Sequence, residues 1–200
     1  MGNKSTRDHI VESADQLFYQ QGFEHTSFAD IAGVVKISRG NFYYHFKSKD
    51  EILDAVINLR LTDTAKMLGL WDGMSETPAD RIRSFINILV TNRAKIKQHG
   101  CPVGTLVNEL ARLDHAAKSN ASKIFSLFRG WLSKQFLQMG CGGESDGLAM
   151  HLLARSQGVA SLATAFQDEA FIYLEVKQMN DWLDKCIKAH PLPEIQAPQV

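Results

Sequence analysis

The sequence predicts an all-α protein, and three observations carry that prediction. Proline is absent before Pro78, and only Pro78 and Pro102 interrupt the body of the chain. Apolar residues recur at helical spacing, with no convincing run of alternating apolar and polar residues. Polar capping residues and glycines bracket the apolar runs.

These signals place about nine helices, over 6–21, 28–35, 39–45, 49–69, 79–98, 102–113, 116–139, 144–167 and 169–189. Ile10, Ala14, Leu17 and Phe18 form the inner face of the first, and Gly22 stops it. Ser27 before Phe28-Ala29-Asp30 and Ser38 before Arg39-Gly40-Asn41 start the second and third. Ser48 and Glu51 have capping-box spacing at the start of the fourth. Pro78 and Pro102 each suit a first helical turn, where a missing N–H costs nothing. Ile82, Phe85, Ile86, Leu89 and Val90 mark the helix after Pro78, and Ile124, Leu127, Phe128, Trp131 and Leu132 the seventh. Gly140-Cys141-Gly142-Gly143 is a loop. Leu148 and Leu152 begin the eighth helix, and Ile172, Val176, Met179, Leu183 and Ile187 stripe the last. The short helices cluster at the N-terminus, so a small domain, 1–50, precedes a larger helical body, 51–189, and a proline-bearing tail, 190–200.

Composition narrows the function. Of 200 residues, 22 are Lys or Arg and 22 are Asp or Glu, so no overall basicity advertises nucleic acid or membrane. The longest uncharged stretch, Ser156 to Gln167, falls well short of the ~20 apolar residues of a membrane span. The N-terminus is polar and lacks an apolar secretory region. Cys101, Cys141 and Cys186 are too scattered for a disulfide scaffold. A cytoplasmic protein with no membrane partner is expected.

The neutral total hides a local strip. From Lys36 to Lys49 stand four basic residues (Lys36, Arg39, Lys47, Lys49), His45 and no acid, whereas acids lie upstream. Two short helices joined by a tight turn, with Tyr43 and Tyr44 among the cations, make a helix-turn-helix suited to DNA backbone contact. On charge alone, a solvated basic face is the competing reading.

The string itself goes further. Ile31-Ala32, then Ile37-Ser38-Arg39-Gly40-Asn41-Phe42-Tyr43-Tyr44-His45-Phe46-Lys47-Ser48-Lys49-Asp50-Glu51-Ile52-Leu53, closely resembles the N-terminal domain of the tetracycline-repressor (TetR) family of bacterial transcriptional regulators. Leu17-Phe18, Gln21-Gly22-Phe23 and Thr26 extend the resemblance, which covers about residues 6 to 55. It implies a two-fold dimer on a palindromic DNA operator, with one recognition helix per subunit in adjacent major grooves. It also implies a C-terminal body holding a ligand pocket and the dimer interface, and repression as the commoner mode of action. Carried over by position, it implies that Ser38, Arg39, Gly40, Asn41 and Tyr43 face base edges or nearby backbone. Tyr44, His45 and Lys49 then lie along phosphates, with Thr26 and Ser27 at the start of the preceding helix. The chemistry agrees: Arg reads guanine bidentately, Asn reads adenine, and Gly40 permits close approach. Phe42 and Phe46 are expected in the core. Lys36 stands where the family usually has the glycine of the turn, which puts the turn geometry in question.

Beyond residue 55 the body is read on its own residues. Leu152, Gly158, Leu162 and Phe166 on the eighth helix, with Ile172, Val176, Met179 and Leu183 on the ninth, are candidates for a four-helix dimer interface; plain monomer core is the alternative. Phe85, Leu89, Leu106, Phe128 and Trp131 are candidates for lining an effector pocket, and ordinary packing predicts the same stripe. An effector there is expected to be a small, largely apolar or aromatic molecule. Cys101 precedes a helix start, where a thiolate is favoured, and the Gly-Cys-Pro segment resembles one found in a branch of the family that includes sensors of reactive electrophiles. It is a candidate sensor, with a buried structural cysteine as the alternative. An enzyme is the rival class, but no zinc-protease, di-iron, phosphate-loop, dinucleotide or nucleophile-elbow pattern is present, and no cofactor or metal is expected. A DNA-binding protein that answers to no effector is the remaining alternative.

Overall fold

Residues 5–190 are described by a computed structural model, and among them every regular element is a helix. In order these are α1 (Thr6–Gln21), α2 (Phe28–Val35), α3 (Arg39–His45), α4 (Lys49–Met74), α5 (Pro78–Thr91), α6 (Arg93–His99), α7 (Pro102–Arg112), α8 (Lys118–Gln138), a 3-10 turn (Gly142–Glu144), α9 (Ser145–Phe166) and α10 (Glu169–Ala189). Apart from His190, the expected tail lies outside the described residues.

The capping chemistry explains the N-terminal boundaries. Ser5 and Asp8 cap α1 reciprocally, as do Ser27 and Asp30 for α2, each serine accepting an N–H while the acid accepts the cap's own N–H. Ahead of α4 the box is offset: Ser48 Oγ accepts the Glu51 N–H at 3.1 Å, but the Glu51 carboxylate takes the N–H of Lys47, at 2.8 Å.

Most boundaries fall within two residues of expectation, and two features differ by more. Helix α4 continues past Gly69 to Met74 because Asp72 in its last turns is held by the Trp131 indole N–H at 3.0 Å and the Gln135 amide at 3.2 Å. The expected helix 79–98 is two helices. Asn92 leaves helical geometry (φ −101°, ψ 9°), and its side-chain amide donates to the Ile88 carbonyl at 3.1 Å, competing with the backbone ladder.

The chain divides into two compact units, the first made of residues up to 67 together with 98–127, the second of 68–97 together with 128 onward. The first unit centres on Ile10, Phe18, Ile31, Phe42, Phe46, Leu53, Leu106 and Leu110, all buried. Its main polar tie is Arg60, which donates to Asp15 at 2.5 Å and to the Pro102 carbonyl.

In the second unit α10 packs on α5 and α9. Buried Ile82, Phe85, Phe136, Leu152, Ile172, Met179 and Leu183 fill the space. Trp71 and Trp131 lie with ring centres 5.6 Å apart, and Trp182 meets the rings of Phe136 and His151. Fully buried Gln135 bonds both Asp72 and Arg81, and among the described residues no buried side-chain polar atom is left without a partner.

Candidate nucleic-acid interface

Helices α2 and α3 and the turn between them are built from inside outward. Ile31 and Ala32 bury one face of α2, and Phe42 and Phe46 bury one side of α3 and its C-terminal cap. The Phe28 ring meets Phe42 edge-on at 5.1 Å and Tyr43 at 5.5 Å, which fixes α3 against the start of α2. Between them, Lys36 adopts the left-handed conformation (φ 58°, ψ 45°), and the Ile37 N–H returns to the Ala32 carbonyl at 3.2 Å. The turn therefore keeps the geometry a glycine would favour, with a lysine in it.

What this leaves outside is polar and unbonded. Arg39, Gly40, Asn41, Tyr43 and Tyr44 are exposed, Tyr44 at 78%. The side-chain polar groups of Arg39, Asn41, Tyr43 and Tyr44 bond to no other described residue, so their donors and acceptors are available to a partner. A Cβ built at Gly40 meets nothing within 4 Å, so the chain's own packing does not demand glycine there. Arg39 and Tyr43 share with Ser27, Phe28, Ala29, Ala32 and Phe42 a groove of about 310 Å³. Phe28, Ala29 and Ala32 also line it; the sequence marks them as a helix start and as part of the resembling string, but nothing in their type points to a place in the site.

Four further candidates are engaged. Ser27 and Ser38 are exposed, and their hydroxyls cap α2 and α3. His45 is half-buried against the Tyr44 ring. The ammonium of half-buried Lys49 sits 4.3 Å from the centre of the Phe23 ring and donates to the carbonyls of Phe23 and Glu24 at 3.0 and 3.2 Å. Thr26 departs from expectation. It is 1% exposed, its hydroxyl donates to the Gly22 carbonyl at 2.7 Å and accepts from Gln21, and its side chain braces the loop from inside.

The expected effector-pocket residues are divided. Cys101 and Leu106 belong to the first unit, whereas Phe85, Leu89, Phe128 and Trp131 are buried in the second. Phe85 and Phe128 pack edge-on at 5.6 Å, so within their unit these rings fill a core. Cys101 is half-buried at the N-cap of α7 and makes no capping bond. Beside it, the Tyr19 hydroxyl donates to the Gly100 carbonyl at 2.8 Å, and burial pushes that phenol up to about 12. Just upstream in the chain, Lys97 pairs with Glu169 at 2.9 Å, and the His99 ring packs on Tyr19. Burial pushes the thiols of Cys141 and Cys186 up.

The expected dimer face is corrected in part. Leu152, Ile172, Val176, Met179 and Leu183 are buried within the single chain, because α10 turns that stripe inward against α5 and α9. Gly158, Leu162 (45% exposed) and Phe166 (73%) do face outward on α9, and Tyr173 and Leu174 are exposed on α10.

Comparison with known proteins agrees with this geometry. Residues 10–56 match the family model described as bacterial regulatory proteins, tetR family. An HTH-type transcriptional regulator from the lacX 3′ region of Lactococcus lactis is 32% identical over 126 residues, covering 62% of this chain and 64% of that relative. The HTH-type transcriptional repressor DhaR of Mycobacterium sp. strain GP1 is 22% identical over 92% of this chain and 90% of its own. A TetR transcriptional regulator from Legionella pneumophila, solved by crystallography, superposes with a TM-score of 0.80 at 25% identity, covering 92% of this chain and 98% of that one. Among the described residues no helix is long and apolar enough to cross a membrane.

Proposed function

The chain belongs to the TetR family of helix-turn-helix, DNA-binding transcriptional regulators, which are not enzymes, and from that premise we propose that it acts as a homodimeric repressor of a palindromic operator. The observation that carries the proposal is the face of α3, where the polar groups of Arg39, Asn41, Tyr43 and Tyr44 have no partner among the described residues. Arg39 and Asn41 supply the bidentate donors and acceptors that distinguish bases, and the tyrosine hydroxyls supply backbone contacts. A two-fold pair spaces two copies of α3 by the ~34–36 Å that one turn of DNA demands.

The outward row on α9, Gly158, Leu162 and Phe166, supports the pairing of two copies. Gly158 has open space where a Cβ would stand, so the chain alone does not require glycine at this site. Release from DNA follows from a small apolar or aromatic effector in the second unit or from modification of Cys101. Either acts only through a different affinity for the DNA-competent and DNA-incompetent states. For Cys101 the support is its place at the N-cap of α7 together with partial exposure, which Cys186 shares and buried Cys141 lacks; burial pushes the thiols of Cys141 and Cys186 up.

Fluorescence anisotropy on duplexes from the DNA flanking the gene, titrated with salt, tests the reading. Nanomolar binding to one palindromic duplex, steeply weakened by salt, is expected. Equal weak binding to every duplex defeats it. Sedimentation of Gly158→Leu and Phe166→Asp tests the pairing: both are expected to be folded monomers, and dimers of wild-type affinity rule out the α9 face. Peptide mass spectrometry after mild electrophile treatment is expected to find Cys101 modified as operator binding is lost; loss of DNA with Cys101 untouched removes it as sensor.

A further inference from the structure

The loop between α1 and α2 is held in a way that neither helix explains. The Phe23 N–H donates to Glu109 Oε2 at 2.9 Å and the Glu24 N–H to Oε1 at 3.0 Å. The carbonyls of the same two residues accept from the Lys49 ammonium at 3.0 and 3.2 Å. Four backbone groups of two successive residues are thus clamped between a carboxylate from α7 and an ammonium from α4. Successive N–H groups make a cradle for an anion, and bonds to a charged acceptor are the strong ones. The loop is shaped to admit this carboxylate. Gly22 has φ 90°, and a Cβ there would lie 3.0 Å from Glu109 Oε1.

We propose that Glu109 is a positioning residue for DNA recognition, setting the α1–α2 loop and through it the pose of α2 and α3. The path is continuous. From the clamped pair the chain runs to Thr26, tied back to Gly22, then to the Ser27 cap of α2, and Phe28 in the first turn of α2 packs on Phe42 and Tyr43 of α3. Helix α7 is fixed to the same unit at its other end, by Tyr19 on the Gly100 carbonyl and Arg60 on the Pro102 carbonyl. The side-chain packing of the loop does not depend on the latch. Phe23 is already buried against Phe18, and the backbone of exposed Glu24 has water available. Glu109 lies 86 residues from Phe23, so the bond links α7, whose N-cap is Cys101, directly to the reading head.

The inference rests on the DNA-binding reading above, and the test separates the two. The probe is the duplex that the wild-type protein enriches from a randomised pool, beside an unselected duplex of equal length. Wild type, Glu109→Gln, Glu109→Ala and Arg39→Ala are compared by anisotropy, thermal melting and hydrogen exchange at residues 23–27. Glu109→Ala is expected to lose about tenfold in affinity for the enriched duplex, with faster exchange at Phe23 and Glu24 and little change in melting temperature. Glu109→Gln, nearly isosteric but with one oxygen left to accept, is expected to fall between. Affinity unchanged despite faster exchange, or affinity lost with both amides still protected, overturns the proposal. An Arg39→Ala protein that still prefers the enriched duplex as wild type does takes recognition away from the α3 face and the positioning role with it; a wild type that enriches no duplex defeats the DNA reading itself.

Discussion

Helices α3 and α10 show opposite relations between a sequence pattern and a surface. Both carry a marked face. On α3 the marked residues point outward, with Tyr43 and Tyr44 47% and 78% exposed and their hydroxyls without a partner among the described residues. On α10 the marked residues point inward, with Ile172, Met179 and Leu183 all at 0%. Periodicity identifies a face but not what covers it. A stripe of apolar residues is satisfied equally by a neighbouring helix or by a second chain, whereas a run of donors and acceptors with no internal partner is satisfied only from outside.

That contrast can be broken by substitution. The largest effect belongs to the inward stripe: Met179→Ala is expected to cost about 2–5 kcal/mol in urea denaturation with its intrinsic DNA contacts intact. A negligible cost would mean that the α10 stripe is not monomer core. Next comes the outward face. Arg39→Ala is expected to remove about 1–3 kcal/mol of discrimination between operator and mismatched duplexes while stability moves by less than about 0.5 kcal/mol. Lys36→Gly comes third, and raises stability by about 1 kcal/mol, because the left-handed turn strains any residue with a Cβ. The smallest effect is at the cap of α2. The Ser27 hydroxyl and N–H hold the Asp30 carboxyl below its ordinary value of 3.8. A depressed carboxyl contributes stability that is present above its unfolded value and is lost as pH falls through the folded one. Asp30→Asn is therefore expected to flatten the acid limb of the stability curve below about pH 4, followed by circular dichroism.

The helices were legible because capping serines, first-turn prolines and glycine stops act locally, and the geometry of α2, its turn and α3 was legible for the same reason. Lys36 marks a clear case: its place in the turn raises the expectation of strain, and the chain keeps the strained geometry. The misses are long-range. Thr26 and Lys49 have the polarity of surface contacts, but one braces a loop and the other holds two carbonyls. Helix α4 outlasts Gly69 because of a bond to Trp131, 59 residues away, and Glu109 reaches Phe23 across 86. No local pattern encodes such pairings, and the division of the effector candidates between two units follows from the same non-local packing.

The three tryptophans, Trp71, Trp131 and Trp182, all belong to the second unit, and the first has none. The chain thus carries a built-in optical label on one half only. Indole emission reports melting of the body, while far-ultraviolet dichroism reports both halves, and any gap between the two curves measures how far they unfold separately. The same emission, recorded during a DNA titration, observes the half of the chain that lacks α3.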